Sequence, residues 1–440
     1  MSAMRPFSAT GELVVLDGKG SAYSVPNPED IRRVQLPNGI VVLARTNFNS
    51  PTVTISGYLP AGGIFDPDDK LGLANFTAAA LMRGTQQRDF QGIYDALESA
   101  GASLGFDGGT HTLNFGGKAL AEDLGMLLDL LADALRRPTF PGEQVRRLKS
   151  QLLTGLAIRS QNTGEMAALT FDQIAYAQHP YSRPEDGYSE TVQAIERADL
   201  AAFQQEKYGP KGMVIAVVGG VEPARALEEV AAVLGDWENP RQPIPLELPS
   251  LTALQELTRR KVEIPGKSQA DIVLGAPGPS RLEPGFMAAA LGNNILGQFG
   301  MMGRIGDAVR ERAGLAYYAS SSLGGGVGPG PWRVVAGVHP ENIERAVELI
   351  IQEIARFVSE PVSPDELADS QANFVGRLPL SLESNAGVAA ALLNLERYEL
   401  GLDYYVRYAD LVRLVDVQAV LETASRYLHP ERLAIGIAGP

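Results

Sequence analysis

The chain has 440 residues, 45% of them hydrophobic and 20% charged, which is typical of a globular protein too long for one compact core. Its 38 basic and 52 acidic side chains give a net charge of −14, so neither nucleic acid nor an anionic membrane is expected as a partner. Because no apolar run has signal-peptide or membrane-spanning length, a cytoplasmic location is predicted, and the lack of cysteine excludes disulfides and thiolate metal sites.

The first part of the chain mixes predicted strands with amphipathic helices. Apolar runs at 40–44 and 52–59 predict early strands, and a further run at 213–218 predicts a closing strand. Between them, residues 120–135 predict a helix, because leucines recur there at helical spacing. These leucines are Leu120, Leu124, Leu127, Leu128, Leu131 and Leu135.

The same order recurs in the second part of the chain. Residues 343–358 predict a helix whose apolar stripe lies 223 positions after the first. The residues that follow keep this offset, since Pro138 and Glu143 correspond to Pro361 and Glu366. A shared stripe alone would be weak, but stripe, proline and glutamate in the same order indicate two homologous halves of ordinary domain size.

These halves define the predicted domain organisation. The segment 239-NPRQPIPLELPSL-251 is rich in proline and lacks periodicity, which indicates a linker. Strands come early in each half and a strand closes it, an order that predicts the α+β class, with helices packed on one face of a mainly antiparallel sheet. We predict an N-terminal extension, a first repeat, a linker and a second repeat at 1–30, 31–237, 238–256 and 257–440.

Local motifs for common hydrolytic chemistry are weak. The stretch 101-GASLG-105 matches a nucleophile elbow around Ser103, but a predicted helix precedes it and a strand follows, the reverse of what an elbow needs. No two histidines fall within one helical turn, so they form no local pair of metal ligands, and three precede prolines at segment boundaries, where surface positions are expected. The histidines are His111, His179, His339 and His429.

The segment 310-RERAGLAYYASS-321 offers another kind of chemistry. Arg310 and Tyr317 are hydrogen-bond donors that can stabilise negative charge developing on an oxygen, but neither can activate water. Spacing alone favours an ordinary interpretation, in which a helix ends at Gly314 and Tyr317 packs on a sheet. The following run, 324-GGGVGPGP-331, lacks the lysine of a phosphate loop and indicates a flexible or tight connection, or a cavity wall.

Three motifs in one order resemble a known enzyme family. They are 60-PAGGIFDP-67, 72-GLANFTAAALMRGT-85 and 309-VRERAGLAYYA-319. Together with the duplication, they resemble the pitrilysin/insulinase-type inverzincins, most closely the mitochondrial-processing-peptidase-like branch, over essentially the whole chain. Active members carry G-L-A-H-x-x-E-H in the first half, where two histidines bind zinc and the glutamate activates water. Their second half supplies an arginine and a tyrosine that bind substrate and polarise the scissile carbonyl.

The chain departs from the family pattern at the metal site. No carboxylate occurs at 144–164, where the resemblance implies a further glutamate ligand. Alanine has no ligand atom and an asparagine amide is a poor zinc ligand, so no metal is expected in this chain. The five H-x-x-E-H positions read Asn75, Phe76, Thr77, Ala78 and Ala79. By contrast, Arg310 and Tyr317 match the family motif residue for residue.

This combination resembles the non-catalytic subunit of heterodimeric bacterial members, in which two clam-like subunits enclose a chamber. It implies that a homologous partner with an intact H-x-x-E-H motif supplies zinc, while this chain, inactive alone, brings Arg310 and Tyr317 to a peptide substrate. We expect the glycine run to line the chamber, with substrate contacts at Gly324, Gly325 and Gly326. The alternative is a structural or peptide-binding scaffold similar to the core subunits of respiratory cytochrome bc complexes.

Overall fold

The computed structural model describes residues 25–243, 248–300 and 303–440. Parts of the predicted N-terminal extension and linker, residues 1–24 and 244–247, lie outside the described residues. Within the described ranges, every helix is too short or too polar to cross a bilayer.

Two separate sheets organise the described chain. The strands of the first are β1 (Arg32–Gln35), β2 (Val41–Thr46), β3 (Thr52–Leu59), β4 (Ser103–Gly108), β5 (Leu113–Leu120) and β6 (Val214–Gly219). Those of the second are β7 (Thr258–Glu263), β8 (Ala270–Pro277), β9 (Ala316–Leu323), β10 (Pro331–Val338) and β11 (Ala434–Gly439). The spatial orders are β1-β2-β6-β3-β5-β4 and β7-β11-β8-β10-β9.

The two sheets share one arrangement of strands. In the first, β2 pairs with β6 in parallel, and β6, β3, β5 and β4 follow as antiparallel neighbours. In the second, β7 pairs with β11 in parallel, and β11, β8, β10 and β9 follow in the same antiparallel manner. The predicted α+β class, in two halves with mainly antiparallel sheets, is confirmed, whereas the boundaries of the predicted segments stay a prediction.

The helices are interleaved with the strands in a similar order in each half. Those of the first half are α1 (Leu73–Ala80), α2 (Phe90–Ser99), α3 (Leu124–Arg136), α4 (Gly142–Arg159), α5 (Thr163–Ala175), α6 (Ser189–Ala194), α7 (Arg197–Lys207) and α8 (Pro223–Leu234). Those of the second are α9 (Phe286–Gly297), α10 (Gly303–Gly306), α11 (Ile343–Ser359), α12 (Pro364–Ser381), α13 (Asn385–Arg397), α14 (Tyr404–Arg413) and α15 (Val417–Tyr427). A π-helical segment, Asp307–Arg312, continues α10.

Helices α3 and α11 carry the two apolar stripes and follow corresponding strands, β5 and β10. The helix predicted from Leu120 begins four residues later, at Leu124, because Leu120 pairs with Thr52 as the last residue of β5. The stripe of α3 is buried against the first sheet, and the stripe of α11 against the second. Each sheet therefore has helices of its own half on one face.

The opposite face of each sheet is covered by a helix from the other half. In α5, Ala167, Phe171 and Ile174 are spaced as one helical stripe and pack with Val273 and Ala434 of the second sheet. Gly436 of β11 lets this helix approach closely, since a Cβ there would collide with the Ala167 carbonyl.

Helix α13 makes the reciprocal contact. Its buried stripe consists of Val388, Leu392 and Leu395, which are spaced along one helical face. This stripe packs in one buried cluster with Leu43 of β2 and Ala216 of β6, both in the first sheet. The two halves are therefore joined by exchanged helices rather than by the linker alone.

Candidate functional site

Helix α1 carries the five positions at which the family holds its metal motif. It begins after Gly72, whose φ of 94° lies in the left-handed region and whose missing Cβ leaves room for the Asp186 carbonyl. The Asp66 carboxyl group accepts hydrogen bonds of 2.8 Å from the backbone N–H groups of Gly72 and Ala74. This carboxyl group therefore satisfies backbone donors at the start of the helix.

The residues of α1 do not fit a zinc ion. Phe76, Thr77 and Ala78 are buried, and the Thr77 hydroxyl donates to the Leu73 carbonyl at 2.8 Å. Asn75 and Ala79 are half-buried, and neither offers an imidazole or a carboxylate. Among the described residues, no three acidic or histidine side chains lie close enough together to hold a metal.

Asp66 is itself an unusual group. Its side chain is buried, with 5% of the residue exposed, and this burial raises the pKa of its carboxyl group to about 7. The backbone N–H groups of Ala74, Gly72 and Leu73 oppose this rise by stabilising the ionised form. The segment leading into α1 thus holds a carboxyl group that is poised to take up a proton near neutral pH.

Arg310 lies in the π-helical segment that continues α10. Ile305 and Val309 anchor this segment in the core, each fully buried, and Arg304 pairs with Glu366 of α12 through two contacts of 2.7 and 2.8 Å. The Arg310 side chain is 35% exposed, and its only ion pair among the described residues is a 3.5 Å contact with the adjacent Glu311. Such π-helical turns are rare and occur often at functional sites.

Tyr317 lies at the start of β9, which is an edge strand of the second sheet. The register between β9 and β10 shifts there, because Ala316 pairs with Val338 and Tyr318 with Gly337, which leaves Tyr317 as the extra residue of a bulge. Tyr317 is 59% exposed, and its hydroxyl makes no hydrogen bond within the described residues. Its neighbour Tyr318, by contrast, donates to the Asp271 carboxylate.

The glycine run forms a tight connection between β9 and β10. The Gly324 N–H donates to the Pro331 carbonyl at 2.7 Å, which closes the turn. The Gly325 carbonyl accepts from the Tyr398 hydroxyl at 3.1 Å, and the Gly326 carbonyl accepts from the Arg281 backbone N–H at 2.9 Å. The backbone of this run is therefore held by hydrogen bonds, as the predicted tight connection requires.

This glycine run lines a cavity of about 500 Å³ between the two halves. Tyr181 of the first half approaches Gly328 so closely that a Cβ there would collide with its hydroxyl. That hydroxyl also forms a 2.7 Å hydrogen bond with Nε2 of His111. Gly324, Gly325 and Gly326 thus lie on a cavity wall that faces side chains of the other half.

Charged side chains complete the lining of this cavity. Burial raises the pKa of Asp172, on α5, to about 6, although the guanidinium of Arg333 lowers it. Arg333 lies on β10, on the side of the cavity that the second half contributes. Burial, together with the positive charge of Arg397, lowers the pKa of His111. The described lining of the cavity therefore includes the cation of Arg333, the carboxyl groups of Asp172 and Glu185, and several hydroxyl groups.

Sequence reasoning missed the set of residues that lines this cavity. One expectation about a neighbour of the cavity residue Tyr181 is also wrong. His179, expected at the surface, is only 3% exposed, and its Nδ1 accepts a 3.1 Å hydrogen bond from the Tyr181 N–H. It is buried because it stacks edge-on against Tyr181, with ring centroids 4.5 Å apart. No local pattern marks His111, Asp172 or Arg333, because they lie far apart in the chain and share one cavity only in the folded structure.

The structure does not bring the glycine run together with the arginine and tyrosine. Tyr317 and Gly324 lie near opposite ends of β9, seven residues apart. At the rise of an extended strand this separation is roughly 23 Å. The described residues therefore hold two distinct regions, the Arg310–Tyr317 region and the cavity between the halves.

Comparisons with known proteins agree with this architecture. The family model described as "Insulinase (Peptidase family M16)" matches residues 41–184, and the model described as "Peptidase M16 inactive domain" matches residues 194–374. A crystal structure of a peptidase M16 inactive domain from Pseudomonas fluorescens is 26% identical, with a TM-score of 0.86, and the alignment covers 93% of this chain and 98% of that one. A protease from Helicobacter pylori is 17% identical and shares the fold with a TM-score of 0.86. The alignment covers 94% of this chain and 100% of that one.

The chain is also similar to several curated proteins. An uncharacterized zinc protease of Streptomyces coelicolor is 24% identical over 81% of this chain and 78% of its own length. A probable mitochondrial-processing peptidase subunit beta of Arabidopsis thaliana is 22% identical over 93% of this chain and 78% of its own length. Human cytochrome b-c1 complex subunit 1 is 26% identical over 60% of this chain and 55% of its own length. Since the two family models together match most of the chain, it belongs to the M16, or insulinase, family of peptidases.

Proposed function

We propose that this chain is the zinc-free subunit of a heterodimeric zinc peptidase, in which Arg310 and Tyr317 act on a peptide bound at the partner's metal site. One observation carries the proposal. Tyr317 is exposed and Arg310 is half-buried, both lie on irregular backbone and lack strong partners among the described residues, and the metal positions of α1 hold no ligand. A tyrosine packed only for stability would more often have its hydroxyl satisfied or its ring buried.

The two side chains would have separate roles. The Tyr317 hydroxyl can donate a hydrogen bond to the substrate oxygen that gains negative charge during peptide-bond hydrolysis. The Arg310 guanidinium is always charged and can bind a backbone carbonyl or a carboxylate through two N–H groups. The metal and the base must come from a homologous partner with an intact H-x-x-E-H motif, because Ala78 and Ala79 can supply neither.

The cavity between the halves is the proposed site for a more distant part of the same peptide. Its wall at Gly324, Gly325 and Gly326 brings the backbone within reach of a ligand, and Arg333 and Asp172 offer charges of both signs. A separation of roughly 23 Å from Tyr317 corresponds to about seven extended residues. The proposal therefore favours unfolded or extended peptides of more than a few residues as substrates.

The experiment is peptide cleavage by the reconstituted pair of subunits. Tyr317→Phe keeps the ring and removes the hydroxyl, so turnover should fall about 10²–10³-fold, as is typical when one preorganised donor is lost. Tyr94→Phe is the matched control, because the Tyr94 hydroxyl is also unbonded among the described residues and its ring packs 4.8 Å from Phe90 in the first half. Normal assembly with wild-type turnover for Tyr317→Phe would refute the proposal.

A second candidate function is a structural scaffold without a peptidase role. The similarity to human cytochrome b-c1 complex subunit 1 favours it, since that protein is named as a subunit of a respiratory complex. The two functions differ in the partner that co-purifies with the native protein. A homologous chain with H-x-x-E-H, together with peptide cleavage, supports the peptidase, whereas a stable complex that lacks such a chain supports the scaffold.

A further inference from the structure

A second cavity, of about 370 Å³, lies among helices of the second half. It is bounded by α12, α14 and the segment between β8 and α9. Its volume falls in the range of small-molecule sites. Two arginines, Arg281 and Arg377, line it together with three tyrosines, and none of its described lining residues is acidic.

Arg281 is held in a fixed position beside this cavity. One of its terminal N–H groups donates to the Tyr404 hydroxyl at 2.8 Å, and its guanidinium carbon lies 4.6 Å from the centroid of the Phe286 ring. Within the described residues it has no carboxylate partner. A guanidinium has five N–H donors, so most of them stay available for a ligand.

Arg377, on α12, is exposed and forms no ion pair or hydrogen bond within the described residues. Nearby arginines of α14 behave differently, since Arg407 pairs with Asp403 at 2.6 Å and Arg413 with Asp410 at 3.7 Å. In a chain with 52 acidic side chains, two arginines on one cavity without carboxylate partners are a distinctive arrangement.

The rest of the cavity wall is apolar or aromatic. Phe374 and Leu378 lie on the same helix as Arg377, one turn apart, and Tyr408 faces them from α14. Burial raises the pKa of Tyr408 to about 12, so its hydroxyl stays protonated and can donate a hydrogen bond. The cavity thus combines two cations with a surface suited to an apolar group.

We propose that this cavity binds a small organic anion, a carboxylate or phosphate attached to an apolar or aromatic body. Arg281 and Arg377 would hold the oxyanion, because guanidinium groups match the geometry of carboxylates and phosphates. Phe374 and Leu378 would contact the apolar body. The proposal goes beyond the proposed peptidase role and does not depend on it, since none of these residues belongs to the Arg310–Tyr317 region or to the cavity between the halves.

The test is isothermal titration calorimetry of the full chain with phenylacetate, phenyl phosphate and neutral phenethyl alcohol. Saturable binding of one or both anions is expected, and the one that binds more tightly identifies a carboxylate or a phosphate source. Arg377→Gln should weaken that binding roughly tenfold or more, because a charge-assisted contact is lost. The matched control is Arg241→Gln, which removes an exposed arginine of the predicted linker and should leave the affinity unchanged.

Three results would overturn the proposal. They are no saturable binding of either anion, equal binding of the neutral alcohol, and equal affinities in the Arg377→Gln and Arg241→Gln proteins. Arg377 makes no contact that the fold needs, so Arg377→Gln should fold normally. Arg377→Lys gives an independent measure, because it keeps the charge but loses the forked geometry, and it should give an intermediate loss of affinity.

Discussion

The α1 region and the Arg310–Tyr317 region differ in how their side chains lie in the fold. In α1, Phe76, Thr77 and Ala78 are buried, and the hydrogen-bonding groups of the helix start are satisfied internally by Asp66. In the second region, the half-buried Arg310 lies on a π-helical turn and the exposed Tyr317 lies on a bulge.

This difference bears on the proposed roles of the two regions. Small apolar residues can fill a former site and be stabilised by burial, so α1 would persist as a structural helix without any catalytic role. A half-buried arginine without a strong ion pair and an exposed tyrosine gain little stability where they lie. The proposed peptidase role would explain their presence there, and the following predictions test this contrast.

The largest effect should come from returning a carboxylate to the buried helix. Ala78 is only 1% exposed, so Ala78→Glu would bury a charge without a partner and should lower the free energy of unfolding by about 3–5 kcal/mol. Ala79→Glu, at the half-buried neighbouring position, is the control and should cost clearly less. Urea unfolding measures both, and equal costs would show that α1 is not filled as described.

The pH dependence of stability should reveal the Asp66 carboxyl group. Its folded pKa of about 7 lies above the ordinary value of 3.8, so folding takes up a proton between these values. The stabilisation is complete below pH 4 and is lost as pH rises through 7, by roughly 1.4 kcal/mol per pH unit. Between pH 5 and 8 the wild type should therefore lose about 3 kcal/mol relative to Asp66→Asn. Parallel pH profiles for the two proteins in urea unfolding would contradict this.

Removing the arginine should weaken substrate binding more than turnover. In the reconstituted pair, Arg310→Ala should raise KM about tenfold, because an anchoring charge-assisted contact is lost. Arg312→Ala provides the control, since Arg312 lies on the same π-helical segment, is 61% exposed, and pairs with Asp307 instead. If the two variants have the same KM, Arg310 is an ordinary surface residue.

The smallest effect concerns the turn between the two side chains. Gly314 has a φ of 63°, and nothing lies within 4 Å of a Cβ built there, so Gly314→Ala should cost about 1 kcal/mol through backbone strain alone. Gly376→Ala is the matched control, because the space around it is equally open but it lies inside α12. That variant should be stabilised by a few tenths to about 1 kcal/mol. Thermal unfolding measures both, and a stabilised Gly314→Ala would exclude strain at this turn.

Much of the architecture could be predicted from local pattern. Apolar runs predicted the central strands, and the stripes of α3 and α11 predicted helices in corresponding places, apart from the late start of α3 at Leu124. The predicted roles of Arg310, Tyr317 and the glycine run, and the cytoplasmic location, stay predictions. The way in which the two halves meet could not be predicted. The stripe of Val388, Leu392 and Leu395 indicates that α13 buries one face, but it does not indicate which sheet covers that face.

By itself the sequence determined the α+β class, the family, and the lack of metal ligands in α1, because these depend on periodicity and on residue types at fixed spacing. Only the tertiary structure decided that α5 and α13 are exchanged between the halves and that His111, Asp172 and Arg333 share one cavity. It also decided that two arginines without acidic partners meet at a second cavity. The physical reason is that such contacts join residues far apart in the chain, so their formation depends on the packing of whole helices and sheets and leaves no local pattern.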